Sequence, residues 1–296
     1  QLNEYLENKI SANVKLIDLG KIITNVGLEK SQDLRYYYSS KALYTVDFFK
    51  AYADYIKPVI MSANGKAKKA LIFDCDNTLW HGILGEDGFD NIAMSTNTKN
   101  GAIFSEIQSI ALALNNQGII IGLCSKNNPE DVDEVIKSHP DMQLRDERLT
   151  INKSNWSDKV SNLKEIAQEL NIGLDSIVFV DDSSFEVNLI REQLPEVTVL
   201  QVPERLYEYP TMLRKSFSLF YNLSSTAEDR KKIKMYKQQI KRETVKKEFT
   251  DIEDYLASLG MKMIIYQDDE TIIPRMSQMS QKTNQFNLTT KRYTEG

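Results

Sequence analysis

Three short apolar runs, ALIFDCD (70–76), GIIIGLCS (118–125) and SIVFVDD (176–182), each finish in oxygen-bearing side chains. That repetition limits the possible folds more than any other feature of the chain. Each run is apolar at nearly every position rather than at alternate ones, the pattern of a strand buried on both faces. Helical stretches separate them: GAIFSEIQSIALALNNQ, then NPEDVDEVIKSH opening through Asn128 and Pro129, then WSDKVSNLKEIAQELNIG stopping at Gly173. These carry the usual start and stop signals of helices. A helix FEVNLIREQL and a strand EVTVLQVP follow. Strands alternating with helices predict an α/β fold with a doubly wound parallel sheet. In such sheets the ligand crevice lies beyond the carboxyl ends of the strands. Asp74, Asp76, Ser125, Asp181 and Asp182 all fall there.

The remainder reads as two flanking pieces. Residues up to about 60 look helical, with KALYTVDFFKAYADYI carrying apolar groups at helical spacing, and SANGKAKK (62–69) resembles a boundary. Beyond about 204 a basic helix, AEDRKKIKMYKQQIKRETVKKEF, leads to a helix DIEDYLASLG and a strand MKMIIYQ. The expected organisation is therefore an N-terminal segment (1–65), a catalytic domain (66–203), and a helical linker entering a further domain (204–296). A chain of 296 residues suits such an arrangement.

Composition narrows the function classes. Net charge is -5 and the pI about 5.3, which argues against a nucleic-acid partner. No apolar run approaches the roughly 20 residues of a membrane span, and the opening QLNEYLENKI is unlike a secretory signal. Two cysteines, Cys75 and Cys124, fit a reducing cytoplasm, and two histidines, His81 and His139, are too few for a His-built metal centre.

Phosphoryl transfer through an enzyme needs an oxygen nucleophile, a proton donor for the leaving group and a cation against phosphate charge. In Asp74-Cys75-Asp76-Asn77-Thr78 the two acids share one side of an extended backbone. Asp74 can attack phosphorus, and Asp76 can protonate the leaving oxygen and then deprotonate water. Ser125 suits the phosphoryl oxygens. Lys159 suits a place beside Asp74 and the phosphate. Asp181 and Asp182 supply hard oxygen ligands for Mg²⁺, held together with Asp74 and a substrate oxygen. Singly, each piece has a plainer reading: an Asx turn, a helix cap, a solvated lysine. Their order and their common place at strand ends favour the catalytic one. Trp80 and Trp156 are expected to pack rather than stack on substrate.

DCDNTLW, LCSKN, the lysine of NWSDK and VFVDDS resemble, in order, the four motifs of the haloacid dehalogenase (HAD) superfamily. DNTLWHGILGEDG, CSKNNPEDVDEV, HPDM, NWSDK, LNIGLDSIVFVDD and LPEV resemble its FkbH-like branch, subfamily IIIC, over about residues 66–203. The resemblance implies a Rossmann-like HAD domain with a minimal cap, flanked by partial α/β domains. The leading piece resembles the tail of an SGNH-like domain, and KTNQFNLTTKRY the start of an acetyltransferase-like one. It further implies that Asp74 is the nucleophile, Asp76 the acid/base, and Thr78, Ser125 and Lys159 the phosphate-binding residues. Asp74, Asp76, Asp181 and Asp182 would bind the metal. His81 stands where the pattern has a small residue, which alters the pocket mouth.

FkbH-like proteins are associated with dephosphorylating a phosphoglyceryl group and passing glyceryl, as a thioester, to an acyl carrier protein. The implied substrate is a small phosphorylated acid of phosphoglycerate type. Cys75 and Cys124 alternate away from the carboxylates and read as buried small residues. The basic stretch Arg230, Lys231, Lys232, Lys234, Lys237, Lys241, Arg242, Lys246 and Lys247 offers a dock for an acidic carrier. More simply it is a solvated face, with Ile233, Met235, Tyr236, Ile240 and Val245 packed inward. A plain HAD phosphatase of a small metabolite and a non-catalytic carrier-binding module are the competing readings.

Overall fold

The computed structural model describes residues 16–221 without a break, together with scattered positions on either side. By contact the chain forms two compact units, residues 1–243 and 244–296. The first contains all five strands of the sheet; the second is represented by a turn at Glu270–Ile272. Most of the basic helix, the helix DIEDYLASLG and the closing KTNQFNLTTKRYTEG lie outside the described residues. The described positions of MKMIIYQ carry no strand, and Ile264 and Ile265 are exposed.

Helices α1 (Leu19–Val26), α2 (Leu28–Ser31), α3 (Leu34–Ser40) and α4 (Val46–Ala63) come first. Then follow β1 (Ala70–Phe73), α5 (Leu84–Asp87), α6 (Lys99–Asn116), β2 (Ile120–Ser125), α7 (Pro129–Ser138) and β3 (Leu149–Ser154). The unit continues through α8 (Lys159–Leu170), β4 (Ile177–Asp181), α9 (Ser184–Gln193), β5 (Thr198–Gln201) and α10 (Tyr209–Lys215). The strands form one sheet in the order β3-β2-β1-β4-β5, every pair parallel. The chain winds outward from β1 to β3, then crosses to the other side for β4 and β5. The switch point therefore lies between β1 and β4.

Alternation along the strands explains why the runs are apolar throughout. Leu71, Phe73, Ile121, Leu123, Val178 and Val180 face α6, α7 and α10. Ala70, Ile72, Ile120, Cys124, Ile177 and Phe179 face α8 and α9 instead. Both faces are covered, so no position is left for a polar side chain until the strand ends. β3 had no counterpart in the sequence reading. LTINKS is an edge strand whose outer half is partly solvated, and Lys153 pairs with Glu165 and Glu169 at 2.9 Å. A half-exposed edge lacks the apolar run that marked the others.

Within the expected boundary at 62–69, residues 63–66 are exposed and Lys68 is tied to the unit. Lys68 N donates to Leu219 O at 2.8 Å and Lys68 Nζ reaches the Asp175 carbonyl. Beyond residue 203, Tyr209 and Leu213 of α10 are buried in the same core as α6. From the basic stretch, Tyr236 and Ile240 pack on the α8–α9 side as the helical spacing implies. Met235, expected to turn inward, is instead 65% exposed, because one helix face cannot bury two successive residues.

Gly122 fixes the approach of β3 to β2. A Cβ there would stand 2.6 Å from Ile151 Cγ2 and 2.9 Å from Ile72 Cδ1, at the point where the β2–β3 register shifts. Gly122→Ala should therefore destabilise the unit by about 1–3 kcal/mol, since tightly packed interiors resist added methyl groups. The midpoint of urea unfolding measures it. An unchanged midpoint would mean that β3 moves aside freely.

Candidate active site

The sheet register sets the first pair of acids side by side. Phe73 pairs with Val180, and Asp74 N donates to Val180 O at 2.9 Å, extending the ladder by one residue. Asp74 therefore emerges next to Asp181, and Asp182 follows at once. One ligand oxygen from each of Asp74, Asp181 and Asp182 lies within 4.8 Å of the others. Lys159, the first residue of α8, lies 2.7 Å from Asp181 Oδ2 and 3.1 Å from Asp74 Oδ1. Asp158 caps that helix through Ser161 N at 2.8 Å, so α8 starts with Lys159 turned into the sheet edge.

Asp74, Lys159 and Asp181 are buried and Asp182 is half-buried, which decides their electrostatics. Burial pushes the Asp74 carboxyl up to about 6; Lys159 pulls it down, Asp181 pushes it up, and the Ser125 hydroxyl and Cys75 backbone favour the ionised form. Asp181 and Asp182 are raised as well, by burial first. Burial alone would lower Lys159, yet Asp74 and Asp181 outweigh it and hold the ammonium charged. One lysine facing three acids satisfies itself and leaves two negative charges in excess.

Asp76 takes a different place. After Asp74 the chain turns sharply, with Asn77 at φ +50° and Leu79 N donating to Cys75 O at 2.7 Å. This turn swings Asp76 away from the three converging acids. Its Oδ1 accepts from Trp80 Nε1 and Leu84 N, both at 3.0 Å, and its Oδ2 from Asn127 Nδ2 at 2.9 Å. Asn127 also donates to Ser125 Oγ at 3.0 Å, linking the second strand end to the first. Ser125 is buried beside Asp74. Thr78 is fully buried, and its hydroxyl is one of three buried side-chain polar atoms without a partner among the described residues.

Several residues around the site had no place in the sequence reading. Asn127 follows Ser125 by two positions, so the period of an extended chain was a usable signal for it. Tyr209 offered none: it lies far along the chain, yet its hydroxyl donates to Thr78 O at 3.0 Å. Trp80 packs as expected and is fully buried. Trp156 does not; it is 74% exposed on the loop between β3 and α8. His81 turns toward α6, its Nε2 3.1 Å from Asn100 Nδ2, in a bridge with Ala93. Cys75 and Cys124 are both buried, and burial pushes both thiols up. The insert after Trp80 is small, with α5 its one helix.

No protein-family model and no curated protein matches the chain. Among solved structures it is similar to the N-terminal part of the Bacteroides fragilis protein BF1531, a piece containing a phosphatase domain and complexed with Mg. The two are 35% identical with a TM-score of 0.66. The match covers 75% of this chain and 60% of that one, so this chain spans less than two thirds of that neighbour. The sheet and its helices share the α/β, Rossmann-like fold of that phosphatase-domain neighbour.

The three converging acids also fit a divalent cation on their own chemistry. They offer hard carboxylate oxygens at coordinating separation, and a doubly charged ion cancels the excess that Lys159 leaves. A divalent cation at 100 times its dissociation constant should stabilise the domain by about 2.7 kcal/mol. Thermal unfolding with and without Mg²⁺ measures the gain, and Asp182→Asn should lose most of it. Without cation, Lys159→Ala should lower stability by about 3–5 kcal/mol, because it strands two buried carboxylates. A loss under 1 kcal/mol on urea unfolding would show that water already screens the cluster.

Proposed function

We propose that this chain is a Mg²⁺-dependent phosphatase that works through an aspartyl phosphate on Asp74 and acts on a small phosphorylated acid. The observation that carries the reading is Lys159 bridging Asp74 and Asp181 at the switch point of the sheet, beside the acid triplet. The similar Bacteroides fragilis structure, a phosphatase domain complexed with Mg, supports it.

Asp74, Asp181 and Asp182 would hold the cation, which when bound supplies positive charge against the phosphoryl oxygens. Asp74 is oriented by its place at the end of β1, and Lys159 keeps one of its oxygens in register. That carboxylate attacks phosphorus, the bond to the leaving oxygen breaks, and its electron pair stays with that oxygen. Asp76, steered by Trp80, Leu84 and Asn127, gives the leaving oxygen its proton. Asp76 then takes a proton from water, whose oxygen attacks the phosphorus on Asp74. Inorganic phosphate departs and Asp74 is restored. Ser125 and Lys159 face the phosphoryl oxygens throughout.

The finer form of this reading has phosphoglycerate as the substrate class and an acyl carrier protein as acceptor of the glyceryl unit. Cys75 and Cys124 are sealed in the core, so neither relays a thioester, and the acyl group would pass directly to the carrier's thiol. The short insert after Trp80 leaves the crevice mouth open to such a partner.

With Mg²⁺, phosphate should be released from phosphoglycerate, and Asp76→Asn should lose roughly 10²–10⁴-fold in kcat. Intact mass should reveal phosphorylated protein during turnover, absent from Asp74→Asn. With 1,3-bisphosphoglycerate and a holo carrier, the carrier should gain glyceryl. Phosphate release with an unchanged carrier would leave the simple phosphatase. No release from folded, Mg²⁺-loaded protein would transfer the case to a non-catalytic carrier-binding module.

A further inference from the structure

One ion pair at the rim of the crevice has no part in the chemistry above. Lys126 Nζ lies 2.6 Å from Glu186 Oε1, with 38% of the lysine side chain exposed against 9% of the glutamate's. The acid lies beneath and the ammonium faces out.

Local sequence would give Glu186 another task. Ser183-Ser184-Phe185-Glu186 has the spacing of a capping box, in which the glutamate returns to the backbone N–H of the cap residue. Here Asp181 Oδ1 already takes Ser183 N at 2.8 Å, while Ser183 Oγ receives Glu186 N at 3.4 Å. Glu186 is released from the box and holds Lys126. Its Oε2 is buried without a partner, so this carboxylate is kept at a desolvation cost that only the lysine offsets.

Lys126 stands between two residues of the site. Ser125 lies against Asp74, and Asn127 is bonded to Asp76. The alternation that turns these two inward sends Lys126 outward, over the first turn of α9. Asp158, at the start of α8, is drawn below the usual carboxylate range chiefly by Ser161 N–H, with Lys126 adding a smaller pull. The ammonium is thus bounded by the β2 loop and the starts of α8 and α9. Lys159 already serves the nucleophile, so a second fixed cation is free to meet charge on the substrate outside the phosphoryl group.

We infer that Lys126, aimed by Glu186, is a specificity-determining residue that reads a second anionic group of the substrate, a carboxylate lying beyond its phosphate. The inference rests on the phosphatase reading and narrows its substrate class to phosphorylated hydroxy acids over polyol phosphates. A carboxylate paired with an ammonium forms a charge-assisted hydrogen bond that a terminal hydroxyl does not match.

The test is binding by the full chain carrying Asp74→Asn, with Mg²⁺, followed calorimetrically. 3-Phosphoglycerate should bind roughly 10- to 100-fold more tightly than glycerol 3-phosphate, which has a hydroxymethyl in place of the carboxylate. Adding Lys126→Gln should remove the preference, Lys126→Arg should keep most of it, and Glu186→Gln should weaken it. Equal affinity for the two ligands, a preference that survives Lys126→Gln, or an equal loss on both ligands would each overturn the inference. Turnover of p-nitrophenyl phosphate by unsubstituted protein judges the phosphatase reading separately. Its failure would sink that reading while the binding comparison still decides Lys126.

Discussion

The buried contact of Lys159 with Asp74 and Asp181 is the interaction on which the rest of the site depends. It joins the ends of the two central strands to the start of α8 in one charged cluster, away from water. Charges in such a place are tolerated only when paired and hydrogen-bonded. The helix must therefore begin where it does, since a shift of one residue would turn the ammonium some 100° about the helix axis, away from the sheet edge. Asp158 capping Ser161 N and Ser183 capping α9 hold the two helix starts that frame the cluster.

Topology does the remaining positioning. Only at a switch point do neighbouring strands send their outgoing chains to different places, leaving a gap at the carboxyl edge. The parallel register of β1 with β4 brings Asp74 and Asp181 level across that gap. Competition among hydrogen-bond acceptors then assigns roles. By taking Ser183 N with one oxygen and Lys159 with the other, Asp181 fixes its own direction and displaces Glu186 from the helix cap. A local sequence preference thus yields to a tertiary one, and the displaced acid acquires a different partner at the rim.

What the sequence disclosed and what it hid follow from the same physics. β1, β2 and β4 are buried on both faces, so their apolar runs and terminal acids stood out; β3, at a partly solvated edge, carried no such run. The order of Asp74, Ser125, Lys159 and Asp181 along the chain reflects the order of strand ends, and so was legible. The separation of Asp76 from the acid triplet was not, because it depends on a turn at Asn77 with positive φ and on donors from Trp80 and Asn127. Tyr209 beneath Thr78 and Trp156 in solvent were equally hidden. Each is decided by what lies opposite in space, which local pattern does not encode.

The split between Asp74 and Asp76 is also the chemical point of the arrangement. Two carboxyls two residues apart in an extended strand would share one environment and one role. Here the turn at Asn77 separates them. Asp74 stays among buried charges, with Lys159 as its ionic partner, while Asp76 is held by three uncharged donors. Under the proposed function, such distinct surroundings would allow one carboxylate to attack while its neighbour handles protons. The excess negative charge around Asp74 follows directly, because three acids beside a single lysine leave the site electrically incomplete. A divalent cation held there would turn a cluster that repels anions into one that admits them.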